Sequence, residues 1–99
     1  METPPIYFNS TGLSGYQLET AIRKATKQND RVILIYKAKN RPMSPSQVLD
    51  VYNAWWPRCP ITSIRRAITN LTIHGFLSHT GTLRPGPFGA KEGVWKLAE

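Results

Sequence analysis

Hydrophobic side chains recur every three or four positions in four segments of the chain, a period typical of amphipathic helices. This period predicts helices at about residues 14–28, 30–39, 44–56 and 62–74. Residues 1–12, which precede the first helix, contain two prolines and show no such period. We therefore expect a flexible N-terminal arm over residues 1–12 and a single domain over residues 13–99.

Two capping boxes mark the starts of the first and third predicted helices. Ser14 is followed three positions later by Gln17, and Ser44 is followed in the same way by Gln47. In this motif the serine and glutamine side chains bond to backbone N–H groups that the helix leaves unpaired. Met43 directly precedes the second box, and we expect it to pack against the following turn and to be at least partly buried.

The second predicted helix is open to two interpretations. Val32–Tyr36 is a run of hydrophobic residues, most of them β-branched or aromatic, and such a run also suits a buried strand. We favour a central helix with neighbours on several sides, because the segments that follow are helical and need a packing partner. Asn29 or Asp30 is the expected N-cap of this helix.

The last third of the chain predicts a helix followed by a β-hairpin. Thr62 is the expected N-cap of the helix, and Gly75 is expected to end it in the left-handed conformation. Alternating hydrophobic and polar residues then predict strands at about residues 76–80 and 93–97. The loop between these strands is rich in glycine and proline.

The order of these elements predicts a mainly α (α+β) fold. The segments Met43–Val48, Ile61–Leu71 and Gly75–Leu77 resemble winged helix-turn-helix DNA-binding domains, including small proteins of phages and prophages. The resemblance spans about residues 29–97. It implies a three-helix core with one extra helix in front, a C-terminal two-stranded β-wing, and double-stranded DNA as the partner.

The side of the fourth predicted helix that lies opposite its hydrophobic stripe is polar. At about 100° per residue, the stripe is centred on Ile64, Ile68 and Leu71. The opposite face and its flanks carry Thr62, Ser63, Arg65, Arg66, Thr69 and Asn70. We expect these residues to contact DNA, because such side chains hydrogen-bond to base edges and phosphates. Ile73 lies on the same face and has no role in this interpretation.

The predicted loop of the hairpin adds two cations to this candidate site. Arg84 is followed closely by two prolines, and Lys91 lies near the end of the loop. Proline fixes its own φ angle and therefore stiffens the loop. We expect Arg84 to lie along a minor groove or a row of phosphates, and Lys91 to be a further DNA-binding residue.

Composition points to the same class of partner. Lys and Arg number 13 against 6 Asp and Glu, which gives a net charge of +7. No acidic residue occurs between Pro57 and Lys91. A positive field of this kind favours nucleic acids or an anionic membrane surface. No run approaches the roughly 18 consecutive apolar residues that a membrane span needs.

The sequence contains none of the common catalytic motifs. It has no phosphate-binding loop, no metalloprotease motif and no serine-hydrolase motif. Cys59, His74 and His79 do not have the spacing of a zinc site. We therefore expect a protein that is not an enzyme and has no cofactor, metal or small-molecule ligand. The single cysteine and the lack of a secretory leader predict the cytoplasm.

Two functions are compatible with these features. The first is binding of duplex DNA by a small transcriptional regulator or by an accessory protein of a phage or mobile element. The second is a winged-helix protein-interaction module in a replication, packaging or regulatory complex, with Ile73, Phe88 and Trp56 as contacts. A homodimer is compatible with both functions. Single-stranded nucleic acid is less favoured, because the aromatic residues do not form a stacking platform.

Overall fold

The computed structural model describes residues 15–87 and 89–98, with side chains from Leu18 onward. The predicted arm, the Ser14 capping box and Phe88 lie outside the described residues. Four helices precede a two-stranded antiparallel sheet, in the order α1 (Gly15–Lys24), α2 (Gln28–Lys39), α3 (Pro45–Trp55), α4 (Ile61–Ile73), β1 (Leu77–Pro85) and β2 (Lys91–Leu97). This is the predicted α+β fold, a helical core followed by a β-wing as in a winged helix.

Helix α2 lies at the centre of the molecule. All five residues of Val32–Tyr36 are at most 1% exposed, and they belong to a helix, as predicted, rather than to a strand. Successive residues of a helix point in different directions, so a fully buried run needs neighbours on every side. Leu34 packs with Ala21 and Ala25 beside α1, whereas the other four residues belong to the main core shared by α3, α4 and the hairpin.

Helix α1 ends at Lys24, earlier than the predicted end near residue 28. Tertiary hydrogen bonds explain this early end. The guanidinium Nε of Arg31 donates to the Ala25 carbonyl over 3.0 Å, and the indole Nε1 of Trp56 donates to the Ile22 carbonyl over 3.2 Å. The last carbonyls of a helix lack partners within it. Here Trp56 supplies a partner for the Ile22 carbonyl in the last turn, and Arg31 supplies one for the Ala25 carbonyl, directly after the helix.

Two of the predicted N-caps are wrong. The N-cap of α2 is Lys27 rather than Asn29 or Asp30, and that of α4 is Pro60 rather than Thr62. Neither Lys27 nor Pro60 forms a side-chain capping bond. Asp30 instead lies buried within the first turn of α2. In α4 the Pro60 carbonyl accepts the first backbone bond of the turn, so the helix starts one residue before Thr62.

The capping box at the start of α3 is confirmed. The Ser44 backbone N–H donates to Gln47 Oε1 over 3.0 Å, and the Gln47 N–H donates to Ser44 Oγ over 3.4 Å. Pro45 occupies the first helical position, where its missing N–H costs nothing. Met43 is fully buried in the same core cluster as Val48, which agrees with its expected packing at this helix start.

Helix α4 ends at the predicted glycine. Gly75 has φ +84°, its N–H donates to the Thr72 carbonyl over 3.1 Å, and the Phe76 N–H donates to the Leu71 carbonyl over 2.8 Å. These two bonds form a Schellman motif, which requires a left-handed residue and so favours glycine. The motif reverses the chain direction and leads directly into β1.

The hairpin is longer than predicted, because pairing continues past the glycine at position 81. The strands run over Leu77–Pro85 and Lys91–Leu97 instead of about 76–80 and 93–97. The register shifts between His79 and Leu83, which marks a β-bulge. Within it, Thr80 Oγ1 donates to the Val94 carbonyl over 3.0 Å and accepts a bond from the Thr82 N–H over 3.2 Å. These side-chain bonds replace ladder bonds that the bulge removes.

One backbone bridge ties the hairpin to the helical core. Met43 and Trp95 exchange backbone hydrogen bonds of 2.9 and 3.0 Å, so β2 lies between β1 and Met43, two residues before α3. The hydroxyl of Tyr36 in α2 donates to the Met43 carbonyl over 2.9 Å. The hairpin base is therefore fixed relative to the helices.

Candidate nucleic-acid interface

The outward face of α4 is exposed, as the helical phase predicts. Its core side consists of Ile64, Ala67, Ile68 and Leu71, all buried. Of the predicted DNA-binding residues in this helix, the exposed ones are Thr62, Arg65, Arg66 and Thr69. Ser63 and Asn70 are half-buried on the flank of the helix that lies away from Arg65. Four of the six predicted residues thus form one accessible strip along the helix.

A groove separates this strip from the hairpin. We call it the α4–hairpin groove. It has a volume of about 320 Å³. Its walls are formed by Arg65, Ile68 and Thr69 of α4, by Lys91, Glu92, Gly93 and Trp95 of β2, and by Pro45 at the start of α3. Lys91, Gly93 and Trp95 share one face of β2, because side chains alternate along a strand. Arg65, Thr69 and Lys91, which are far apart in sequence, are therefore brought to one surface.

Arg84 lies elsewhere. It lines a second groove, the α3–hairpin groove, of about 230 Å³, whose walls also include Asp50 and Gln47 of α3 and Glu92 of β2. In the strand register Arg84 is directly opposite Glu92. The two hairpin cations consequently belong to different surfaces: Lys91 shares a groove with Arg65 of α4, and Arg84 shares one with Asp50 of α3. Glu92 lines both grooves.

The cations of the α4–hairpin groove carry no internal partner within the described part of the chain. An ion pair joins Arg23 to Glu19 on α1, away from this groove. Arg65, Arg66 and Lys91 are exposed and form no hydrogen bond through their side chains among the described residues. Thr69 Oγ1 donates to the Arg65 carbonyl over 2.9 Å, so that its lone pairs stay available as acceptors. The strip can thus offer its charges to an external anion.

Arg31 is a basic residue with a structural role. Its NH1 donates to the Tyr52 hydroxyl over 3.1 Å, and its guanidinium carbon lies 5.2 Å from the centroid of Trp56. Together with its bond to the Ala25 carbonyl, these contacts join α1, α2 and the end of α3. Arg31 is therefore committed to internal contacts and is not part of a DNA-binding surface.

The turn between α3 and α4 holds the single cysteine. The Cys59 N–H donates to Asn53 Oδ1 over 3.2 Å, which fixes the turn to the end of α3. Burial raises the pKa of the Cys59 thiol, and the nearby Arg31 guanidinium partly opposes that rise. The residue is therefore a protonated, half-buried thiol at neutral pH, as befits a packing residue.

Three large hydrophobic side chains are exposed in the described residues. Ile73 is 74% exposed, Leu83 is 61% exposed and Trp55 is 36% exposed. Ile73 is thus not covered by the hairpin. Trp56, by contrast, packs against both core clusters, which gives it a structural role. Phe88, the third predicted contact of the protein-interaction alternative, lies outside the described residues.

The described residues, 15–98 without Phe88, contain neither a cluster of metal ligands nor a membrane-spanning helix. No three residues among the described His, Cys, Asp and Glu lie close enough together to hold a metal ion. None of the described helices combines the length and hydrophobicity that a membrane crossing requires.

Comparison with known proteins gives a likeness in fold. No family model and no curated protein matches the sequence significantly. A solved structure of a possible transcriptional regulator from Methanosarcina mazei Go1 is similar, with a TM-score of 0.57 over 88% of this chain and 68% of that chain. The sequence identity is 10%. At this identity the likeness concerns the fold alone.

Proposed function

We propose that this protein binds double-stranded DNA, with α4 in the major groove and the hairpin against the adjacent backbone. Its role would be that of a small transcriptional regulator, or of an accessory protein of a phage or mobile element, acting in the cytoplasm by binding rather than by catalysis. The observation that carries the proposal is the acid-free, exposed strip of α4, which continues into the α4–hairpin groove with Arg65 and Lys91 on its two walls.

The dimensions of the strip suit a major groove. Helix α4 has 13 residues, and at about 1.5 Å per residue it is roughly 20 Å long. A major groove about 12 Å wide accepts a helix of ordinary diameter. Arg66 lies nearly opposite the buried stripe and would point at base edges, whereas Arg65 and Lys91 lie toward the rim and would contact phosphates.

The N-terminal end of α4 supports this orientation. Its first turn contains no acidic residue, and no side chain caps it. The unpaired N–H groups and the positive end of the helix dipole favour an anion. A DNA phosphate beside Thr62 would meet that requirement when α4 enters the groove.

Salt titration of binding to a random-sequence duplex tests the proposal. The affinity should fall steeply with salt, because each phosphate contact contributes about 0.9 to the slope of log affinity against log salt. Arg65→Ala should lower that slope by about 0.9. The matched control is Arg23→Ala, which removes the same charge from α1 and should leave the slope unchanged. A parent protein that binds no duplex at the lowest salt would refute the proposal.

The exposed Ile73 favours a second candidate, a protein-interaction module. An isoleucine 74% exposed on the outward face of α4 suits contact with an apolar partner better than contact with phosphates. If this candidate is correct, Ile73→Asp should abolish binding of that partner, and Arg65→Ala should have no effect on it. A homodimer is one form of such a partner, and sedimentation of the parent and of Ile73→Asp would detect it.

A further inference from the structure

The carboxylate of Glu92 joins the outer part of the hairpin to α3. Glu92 Oε1 accepts a bond of 2.6 Å from the Ser46 hydroxyl and one of 3.3 Å from the Ser46 backbone N–H. Ser46 is the second residue of α3, so its N–H has no partner inside the helix. A carboxylate is well suited to this position, because the positive end of the helix dipole strengthens the bond.

Gly86, in the turn of the hairpin, has no side chain, and this leaves room for the side chain of Glu92. A Cβ on Gly86 would lie 2.6 Å from the Ala90 carbonyl oxygen and 3.1 Å from Glu92 Cγ. Any side chain at position 86 would therefore clash with the backbone at Ala90 and crowd the side chain of Glu92. Glu92 Oε2 is buried and forms no hydrogen bond within the described residues. The carboxyl group is thus enclosed between the hairpin turn and α3.

The hairpin is consequently attached to the helices at two levels. The Met43–Trp95 bridge fixes its base, and the Glu92–Ser46 bonds fix it three residues nearer the tip. A hairpin held at the base alone keeps freedom to swing, and that freedom must be lost when DNA binds. The second attachment removes this freedom in advance.

We propose that Glu92 is a positioning residue for DNA binding, which holds the hairpin so that Lys91 stays across the groove from Arg65. This inference rests on the proposed function. A carboxylate is unexpected on a DNA-binding surface, because its negative charge repels phosphates. Its hydrogen bonds to Ser46 hold the hairpin in position. The charge should therefore weaken DNA binding, whereas the hydrogen bonds should strengthen it.

Three variants separate position from charge, with a random-sequence duplex of about 20 base pairs as the probe. In Glu92→Gln the amide oxygen still accepts from Ser46, and binding should equal or exceed that of the parent at the same salt slope. In Glu92→Ala the hairpin swings and Lys91 loses its phosphate. The slope should then fall by about 0.9, with affinity about eightfold weaker near 0.1 M salt. Ser46→Ala, which retains the charge of Glu92, should weaken binding in the same direction.

The outcomes distinguish this inference from the proposed function. If Glu92→Ala binds as tightly as Glu92→Gln, the carboxylate acts through its charge alone and the inference is overturned, although DNA binding stands. If the parent binds no duplex, the proposed function fails first. If circular dichroism shows that Glu92→Ala does not fold, the test uses Ser46→Ala and the parent protein instead. A salt slope of Ser46→Ala equal to that of the parent would then overturn the inference.

Discussion

Lys91 and Arg84 provide the sharpest test of which hairpin surface meets DNA. Both are exposed cations on the hairpin, so charge alone predicts similar effects for their removal. Glu92 lines both grooves, so the difference between the two cations lies in their other charged neighbours. Lys91 shares its groove with the cation Arg65, whereas Arg84 shares its groove with the carboxylate Asp50, which offsets the field of Arg84 at a nearby phosphate. We therefore expect Lys91→Ala to weaken DNA binding more than Arg84→Ala.

The magnitude follows from counterion release. One lost phosphate contact lowers the salt slope by about 0.9, which corresponds to about an eightfold loss of affinity near 0.1 M salt. Lys91→Ala should show this full effect, and Arg84→Ala less than half of it. Fluorescence anisotropy with a random-sequence duplex over roughly 50–200 mM salt resolves the difference. Lys96→Ala is the matched control, because Lys96 is exposed on the alternate face of β2. A larger effect for Arg84→Ala than for Lys91→Ala would refute the assignment.

Three other predictions concern specificity and stability. Arg66→Ala should relax the preference at one base pair by about 1–3 kcal/mol; an unchanged ranking of single-site variants of a selected duplex would contradict a base contact. Met43→Asp places an unpaired carboxylate at a fully buried position and should destabilise by about 3 kcal/mol or more in urea unfolding, against less than about 1.5 kcal/mol for Met43→Leu. Burial raises the pKa of the Tyr36 hydroxyl, so the folded state holds that proton more tightly than the unfolded chain does. Stability should therefore fall as pH rises past about 10, and Tyr36→Phe should remove this component of the loss; equal alkaline loss in both proteins would show that Tyr36 is not responsible.

The parts of the fold that local chemistry decides were predictable from the sequence. The capping box at Ser44 and the left-handed Gly75 act within a few residues of themselves, and both have the structures that their sequences predict. The outward strip of α4 was predictable for the same reason, because the period of the hydrophobic stripe fixes the helical phase. Arg65, Arg66 and Thr69 are accordingly exposed.

The parts that depend on distant side chains were not predictable in this way. Around the end of α1, Trp56 bonds to the Ile22 carbonyl and Arg31 to the Ala25 carbonyl, and nothing near Lys24 in the sequence signals these partners. The hairpin continues beyond a β-bulge, where Thr80 Oγ1 donates to the Val94 carbonyl of the opposite strand. Sequence patterns report periods and caps, whereas these boundaries depend on tertiary hydrogen bonds.

The candidate site shows the same division between local and distant effects. The sequence identifies Lys91 and Arg84 as cations of one loop, but the strand register separates them onto two surfaces. Nothing in the sequence near Glu92 predicts its contact with α3, because a single glutamate in a strand usually faces solvent. Its bonds to Ser46 depend on the longer hairpin, which brings position 92 into a strand and beside α3.

The positions of the acidic residues explain why the positive field beside α4 is stronger than the net charge of the chain suggests. Within the described part of the chain, Glu19 is paired with an arginine one turn away, Asp30 is buried and Glu92 is bonded to the start of α3. Asp50 is exposed, and it lines the α3–hairpin groove. Three of these four carboxylates are thus committed to internal contacts, and no exposed one lies on α4 or on the face of β2 that carries Lys91. Glu92 lines the α4–hairpin groove as well, but its Oε1 is bonded to Ser46, and Arg65 and Lys91 supply two positive charges on the opposing walls. The groove therefore keeps a net positive charge that favours a phosphate.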